Sequence, residues 1–270
     1  MTTEVAPPAL FDRLPAIRER VADAEGMLFC TDFDGTLAGI ETDPDAPAIG
    51  SDNRVALERL RDHDRVRVAV ISGRELADLR ERVGIEGIDY AGNHGLELHK
   101  DGETTVHPVA ERRRRDLGGI VADIEERLAG TDCFVEDKSV SATVHYRTAP
   151  ERRDEVHDAV ESAVGRVAPG KFELSTGKDI VELTPAVAWD KGDALLLLDA
   201  DHDGWLPIYI GDDTTDEAAF RALAGIGIGV HVGPGTETAA DYRIESPEEV
   251  TRFLDWLAHE GLDALGAAES

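Results

Sequence analysis

Short uninterrupted apolar runs, each stopped by polar or acidic residues and separated by stretches of helical spacing, constrain the fold of this chain most strongly. The run 27–30, Met-Leu-Phe-Cys, stops at Thr31–Asp32, and 66–71 is a second run of the same length class, broken only by Arg67. Runs this short suit strands buried on both faces, as in a parallel sheet, better than helices. Helices are expected over 9–24, 53–62 and 75–83. The rhythm resumes later, with a helix over 191–198, a strand over 207–210, a helix over 216–223, a strand over 226–232 and a last helix over 247–259. Alternation of this kind predicts a doubly wound parallel α/β sheet of Rossmann type.

Between about 107 and 184 the pattern changes. A long amphipathic helix over 109–128 precedes two strand-like stretches, 134–137 and 142–146; a helix over 151–167 and strands over 171–175 and 180–183 follow. Two helices with antiparallel strands make a self-contained α+β layer. The expected organisation is therefore a core of 1–106 and 185–270 with an inserted α+β cap of 107–184. No internal repeat interrupts it, and only the tail 264–270 is expected to fray.

The chemistry collects at the ends of the expected strands, where an α/β sheet opens its ligand crevice. Asp32-Phe33-Asp34-Gly35-Thr36-Leu37 follows the first run. Carboxylates at i and i+2 of an extended chain face the same way. One can attack phosphorus while the other handles the proton, given a divalent cation to offset the crowded charge. By itself an Asp-Gly pair also suits an ordinary turn. A second acidic cluster, Gly211-Asp212-Asp213-Thr214-Thr215-Asp216-Glu217, ends the strand over 207–210 and opens a helix. Capping accounts for part of it, but four carboxylates exceed what a cap requires. Hard oxygen ligands from two loops are what Mg²⁺ takes. Ser72, in Ile71-Ser72-Gly73-Arg74, can donate to a phosphate oxygen beside a helix start, and is equally an N-cap. Lys191, in Asp190-Lys191-Gly192, can neutralise phosphate and the attacking carboxylate.

In this order, these four elements resemble the haloacid dehalogenase (HAD) superfamily of phosphatases. The resemblance implies that Asp32 is the nucleophile and Asp34 the general acid and base. It implies further that Ser72 and Lys191 hold the phosphoryl group and that Asp212 completes a Mg²⁺ site with Asp32 and the Asp34 carbonyl. Asp213 and Asp216 are further candidate ligands, unranked. Gly92-Asn93-His94-Gly95-Leu96-Glu97, Glu136-Asp137-Lys138 with Ser141, His145-Tyr146-Arg147, and Gly177-Lys178 before Val181-Glu182-Leu183-Thr184-Pro185 are similar to the trehalose-phosphate phosphatase family. That narrower resemblance runs from about 28 to 220. It implies that Asn93, His94, Glu136, Lys138, Arg147, Gly177, Lys178 and Glu182 bind the sugar phosphate, trehalose 6-phosphate. Side chains of both signs suit hydroxyls, which donate and accept. For Lys138 and Arg147, pairing with neighbouring acids is the alternative.

Composition bounds the partners. Asp and Glu total 56 against 28 Lys and Arg, a formal net charge of −28, which repels nucleic acid. Lysines stand only at 100, 138, 171, 178 and 191, so 23 of the 28 cations are arginines. An acid-rich, lysine-poor surface suits a salt-loving host whose counterions screen it. Cys30 and Cys133 are too few for a disulfide framework, no apolar run reaches a membrane span, and residues 1–12 lack a leader pattern. A cytoplasmic monomer is expected. Arg112-Arg113-Arg114-Arg115, bracketed by acids, reads as a solvated helix face. Gly225-Ile226-Gly227-Ile228-Gly229 reads as a closely packed strand rather than a dinucleotide site, and no HExxH or paired Cys/His spacing supports zinc. Other esters (sucrose phosphate, mannosyl phosphoglycerate), a phosphosugar mutase and a non-catalytic sugar-phosphate sensor remain rival readings. The last is disfavoured because both Asp32 and Asp34 are present.

Overall fold

In the computed structural model, residues 6–39, 48–234 and 237–267 are described. The elements, in chain order, are α1 (Leu14–Ala22), β1 (Gly26–Thr31), α2 (Ser51–Arg61), β2 (Val66–Ile71), α3 (Leu76–Val83), β3 (Asp89–Gly92), β4 (Glu97–Lys100) and β5 (Glu103–Val106). Then come α4 (Pro108–Arg127), β6 (Phe134–Asp137), β7 (Ala142–His145), α5 (Arg153–Val167), β8 (Phe172–Gly177) and β9 (Ile180–Pro185). The chain returns through α6 (Lys191–Asp199), β10 (Trp205–Gly211), α7 (Glu217–Ala222), β11 (Ile228–Val232), β12 (Tyr242–Ile244) and α8 (Pro247–Trp256). Two units result, Met1–Thr105 with Trp189–Ser270, and Val106–Ala188.

The first unit is an eight-stranded sheet in the order β12-β11-β10-β1-β2-β3-β4-β5. Strands β12 to β3 run parallel, and β4 turns antiparallel to β3. Every residue of β1 is buried, because successive side chains point to opposite faces and both faces are covered. Met27, Phe29, Val68, Val70, Ile208 and Ile210 pack in one core with residues of α1, α2 and α8. Leu28, Cys30, Ala69, Ile71 and Tyr209 pack in the other with residues of α6 and α7. This is why the strand runs are continuous rather than alternating. The chain lays β2 to β5 on one side of β1 and crosses to the other between β5 and β10, so the carboxyl end of β1 is the switch point of the sheet.

In the second unit the sheet order is β6-β7-β9-β8, antiparallel throughout. Ala142, Val144, Val181 and Leu183 form its buried face with Leu117, Ile120 and Ile124 of α4 and Val156 and Val160 of α5. On the opposite face Glu136, Thr143, Glu182 and Ser175 lie in one cross-strand row. Arg112 to Arg115 fall on α4, where Arg114 pairs with Glu111 at 2.8 Å. Cys30 is buried, Cys133 half-buried, and both are free.

Several elements depart from the expectation. The helix expected over 9–24 begins as a 3₁₀ turn, Leu10–Arg13, and becomes α1 with Pro15 in its first turn. Strands β3, β4, β5 and β12 were not expected from periodicity, being of three or four residues. The β4–β5 hairpin turns on Asp101 and Gly102, both at positive φ (52° and 81°), the geometry that favours Asp-Gly. The strand expected over 226–232 starts only at Ile228. The last helix relaxes into a π turn, Leu257–Gly261. In the tail expected to fray, Ala264 and Leu265 are buried and Arg65 donates to the Leu265 carbonyl at 2.8 Å. Residues 268–270 of that tail and 1–5 of the segment read for a leader lie outside the described residues. Among the described residues, no helix is long and apolar enough to cross a membrane.

Close backbone approach explains Gly227: a Cβ there would lie 2.5 Å from the Pro207 carbonyl oxygen. Gly118, exposed inside α4, has nothing within 4 Å of its would-be Cβ. Gly227→Ala is therefore expected to cost about 1–3 kcal/mol, whereas Gly118→Ala stabilises by about 0.5–1 kcal/mol. Urea unfolding of both variants checks the opposite signs.

Candidate active site

Asp32 continues β1, its backbone N–H donating to the Ile210 carbonyl at 2.8 Å. That bond fixes the strand end against β10, so the two strands deliver their acids to the same place. Phe33 turns into the core and Gly35 takes a left-handed φ of 78°. A Cβ on Gly35 would collide with the Asp212 carboxylate, so only glycine leaves that carboxylate its room. The Thr36 hydroxyl donates to Asp212 Oδ1 at 3.1 Å, and the Asn53 amide holds the Leu37 carbonyl at 3.0 Å.

Lys191 opens α6, a helix started by a capping box between Asp190 and Asp193. Its ammonium is buried and bridges Asp32 Oδ1 at 2.9 Å and Asp216 Oδ1 at 2.6 Å. Asp216 is wholly buried and its two oxygens are already committed: Oδ1 also accepts the Tyr209 hydroxyl at 2.6 Å, and Oδ2 accepts the Asp213 backbone N–H at 2.9 Å. Asp213 is exposed, and its Oδ1 caps Thr214. The two acids that sequence left unranked thus separate, Asp216 inward on Lys191 and Asp213 outward at a helix start.

Burial pushes the Asp32 carboxyl well above its usual range, Lys191 pulling it down and Asp216 pushing it further up. Burial alone would lower Lys191, but Asp32 and Asp216 outweigh it and raise it. Asp212 is pushed up to about 6, first by burial and then by Asp216. Burial likewise holds the Tyr209 phenol far above its usual value, with Asp216 adding to the effect, so the hydroxyl is a donor. Three carboxylates against one ammonium leave two negative charges uncompensated. Asp32, Asp212 and Asp216 offer oxygens all within 4.8 Å of one another. Hard oxygen donors with this excess charge fit a divalent cation. Asp32 and Asp212 are its best direct ligands, since the oxygens of Asp216 are occupied.

Asp34 faces a partner that sequence reasoning passed over. Arg74 grips it with both forks, Nε to Oδ2 and Nη2 to Oδ1, each at 2.7 Å, and reaches Asp78 at 3.0 Å. Burial opposes the charge on Arg74, yet Asp34 and Asp78 raise it overall. Arg74 also lies over the Phe33 ring, 5.5 Å from its centroid. Ser72 is buried and its Oγ accepts the Arg74 backbone N–H at 3.3 Å, leaving a hydroxyl proton to give.

The turn Asn93-His94-Gly95 holds left-handed φ values of 50°, 57° and 95°. It is bound to the Ser72–Arg74 loop by Asn93 N–H to the Arg74 carbonyl (2.7 Å) and His94 N–H to the Ser72 carbonyl (2.9 Å). Buried Glu97 accepts the Asn93 side-chain amide at 2.7 Å and the Leu76 N–H at 3.1 Å. Asn93 therefore has a structural partner, while the half-exposed His94 imidazole lies beside Gly73. Glu97 and Tyr209 are the other site residues without an expected role. A polar side chain in an otherwise apolar buried run was the available signal for Tyr209.

The remaining candidates belong to the second unit. Lys138 and Glu182 approach each other at 3.8 Å, the mutual pairing left open for Lys138. Glu136 accepts or shares a proton with His145 Nε2 at 2.8 Å, and that imidazole stacks on Phe134 at 4.4 Å. Gly177 and Lys178 stand at the β8–β9 turn, and exposed Arg147 follows β7.

Comparison with known proteins follows the same lines. The trehalose-phosphatase family model matches residues 30–248. The trehalose-phosphate phosphatase of Mycobacterium tuberculosis (strain H37Rv) is 40% identical over 241 residues, covering 85% of this chain and 60% of the relative. The chain thus spans about three-fifths of the length of the curated relatives it matches. The structure of Aspergillus fumigatus trehalose-6-phosphate phosphatase superposes with a TM-score of 0.65 at 29% identity, covering 93% of this chain and 98% of that one. The C-terminal domain of C. albicans trehalose-6-phosphate phosphatase gives a TM-score of 0.75 at 24% identity, over 95% and 99% of the two chains, a likeness of fold. With the strand-end acids, the buried lysine and the α+β insertion all in place, the chain belongs to the trehalose-phosphatase family.

Proposed function

We propose that this chain is a magnesium-dependent phosphatase that hydrolyses trehalose 6-phosphate to trehalose and inorganic phosphate through an aspartyl-phosphate on Asp32. One observation carries the reading: carboxylates from the ends of β1 and β10 converge within 4.8 Å, with the buried ammonium of Lys191 on Asp32. The substrate is carried over from the relatives, whose name is trehalose-phosphate phosphatase.

In this reading an oxygen of Asp32 attacks phosphorus, the bond from phosphorus to the sugar oxygen breaks, and Asp34 gives that oxygen its proton. Water then attacks the phosphorus of the aspartyl-phosphate and yields a proton to Asp34. The bond to Asp32 breaks and phosphate leaves. Lys191 neutralises the carboxylate and the phosphoryl oxygens, and Ser72 donates to the latter. Asp32, Asp212 and the Asp34 carbonyl would hold Mg²⁺, which when bound supplies charge neutralisation at the transferring phosphoryl group. Arg74 takes one lone pair on each oxygen of Asp34 and fixes the plane of the carboxylate, so that the remaining lone pairs, which carry the proton in this reading, have a set direction. Arg74 is thus a positioning residue for the acid and base.

The insertion 107–184 is read as the substrate-specificity cap, with Glu136, Lys138, Arg147, Gly177, Lys178 and Glu182 recognising sugar hydroxyls and His94 and Asn93 contributing from the core. Its polar sheet face, where acids and a lysine share one side, supports this. Two free cysteines and the net charge of −28 support a reducing, salt-rich cytoplasm as its setting.

Asp32→Asn is expected to abolish phosphate release from trehalose 6-phosphate with an unchanged circular dichroism spectrum, and EDTA to do the same reversibly on Mg²⁺ return; full activity in either case removes the mechanism. Arg74→Ala should lower kcat roughly tenfold or more, and Arg74→Lys should recover little of it, because the fork rather than the charge holds Asp34. Steady-state kinetics on the two variants decides. Lys138→Ala and Glu182→Ala should reduce kcat/KM for trehalose 6-phosphate far more than for p-nitrophenyl phosphate. Equal losses on both esters would detach those residues from the sugar.

A further inference from the structure

Tyr209 is the polar residue of a strand segment that reads Leu-Pro-Ile-Tyr-Ile over 206–210, and its side chain is wholly buried. Its ring sits in the core formed with α6 and α7, edge-on to Phe220 with centroids 5.7 Å apart. The hydroxyl reaches past that packing to Asp216 Oδ1 at 2.6 Å. The same oxygen takes Lys191 Nζ at 2.6 Å, and Lys191 in turn holds Asp32 Oδ1 at 2.9 Å. A single line of contacts therefore runs from the phenol through Asp216 and the ammonium to the attacking carboxylate.

We propose that Tyr209 is a positioning residue for phosphoryl transfer: by donating to Asp216 it sets where the Lys191 ammonium stands between Asp216 and Asp32, and so which Asp32 oxygen is left to attack. The inference rests on the reading of Asp32 as nucleophile. Asp216 Oδ1 serves two donors at once, and its partner Oδ2 is held by the Asp213 N–H. Remove the hydroxyl and that oxygen has the ammonium as its remaining donor, in a site with no exposure to supply water in its place. The ammonium is then drawn further onto Asp216, and its contact with Asp32, already the longer of the two, lengthens. Asp32 Oδ1 loses the cation that pins it, and the carboxylate is free to turn about its Cβ–Cγ bond. Lys191 also faces the phosphoryl oxygens in this reading, so ester binding weakens a little with the shift of its ammonium. The larger loss falls on the attack step.

Tyr209→Phe tests this, since the ring packing on Phe220 is kept and one donor is deleted. The expected result is a kcat lower by about tenfold on both trehalose 6-phosphate and p-nitrophenyl phosphate, with any rise in KM smaller than that loss. Rapid-quench measurement of phosphoenzyme formation should slow by the same factor. A double-mutant cycle separates positioning from general loosening: in an Asp216→Ala background, which removes the acceptor, adding Tyr209→Phe should cost nothing further, because the residue acts through Asp216. Wild-type kcat in Tyr209→Phe, a change confined to KM, or additive losses in the cycle would each overturn the inference. Should Tyr209→Phe fail to fold, difluorotyrosine placed at 209 alters the donor without altering the shape, and an unchanged kcat there has the same force. A wild-type chain that releases phosphate from no ester defeats the reading of the site itself. A working wild type with an indifferent Tyr209 defeats only this inference.

Discussion

The burial of Lys191 between Asp32 and Asp216 is the constraint on which the rest of the first unit depends. Three elements meet there: the end of β1, the start of α6 and the turn after β10. Each contact is worth roughly 6 kcal/mol at an effective dielectric of about 20, while taking each ion out of water costs several kcal/mol. Two attractions against three desolvations come out near balance, so the bridge is a poor stability device. What it does is specify. This arrangement of the two strand ends leaves the ammonium and both carboxylates paired, and an error of register in β10 would strand a buried charge. The third carboxylate, Asp212, adds to the excess and is raised to about 6 by burial and by Asp216, an excess of negative charge that a divalent cation would offset.

Much of this was legible in the chain, because it follows from local pattern. Continuous apolar runs require two covered faces, and the acids at 32 and 212 had to emerge at the carboxyl ends of the strands. The hairpin at Asp101–Gly102 was also there to be read, though β4 and β5 are too short for periodicity to show. Rivalry between Asp213 and Asp216 was not resolvable by type, since both are aspartates of one loop. Their capping box decides it: Asp213 caps from outside while Asp216, three residues on, answers its N–H and is turned inward. The grip of Arg74 on Asp34 could not be read at all, because it joins loops 40 residues apart through side chains alone. On the second unit, the pairing of Lys138 with Glu182 depends on β6 and β9 flanking β7, a strand order that the linear sequence does not state.

Strain at Asn93 to Gly95 shows how the loops around Asp32 are made into one mechanical piece. Two consecutive non-glycine residues at φ of 50° and 57° cost of order 1–3 kcal/mol each, and such a turn persists only if its surroundings over-determine it. They do so from three sides. The Ser72–Arg74 loop takes both backbone N–H groups of the turn. Glu97 holds the Asn93 amide while capping the first N–H of α3. The Gly95 carbonyl accepts the Trp189 indole at 3.0 Å, just before the helix that carries Lys191. Ser72 and Arg74 are therefore tied through this turn to the segment that seats Lys191. The same strain gives Glu97 its place: one buried oxygen, Oε2, uses its two lone pairs to accept the Asn93 side-chain amide and the Leu76 N–H at once, and so ties the turn to the start of α3.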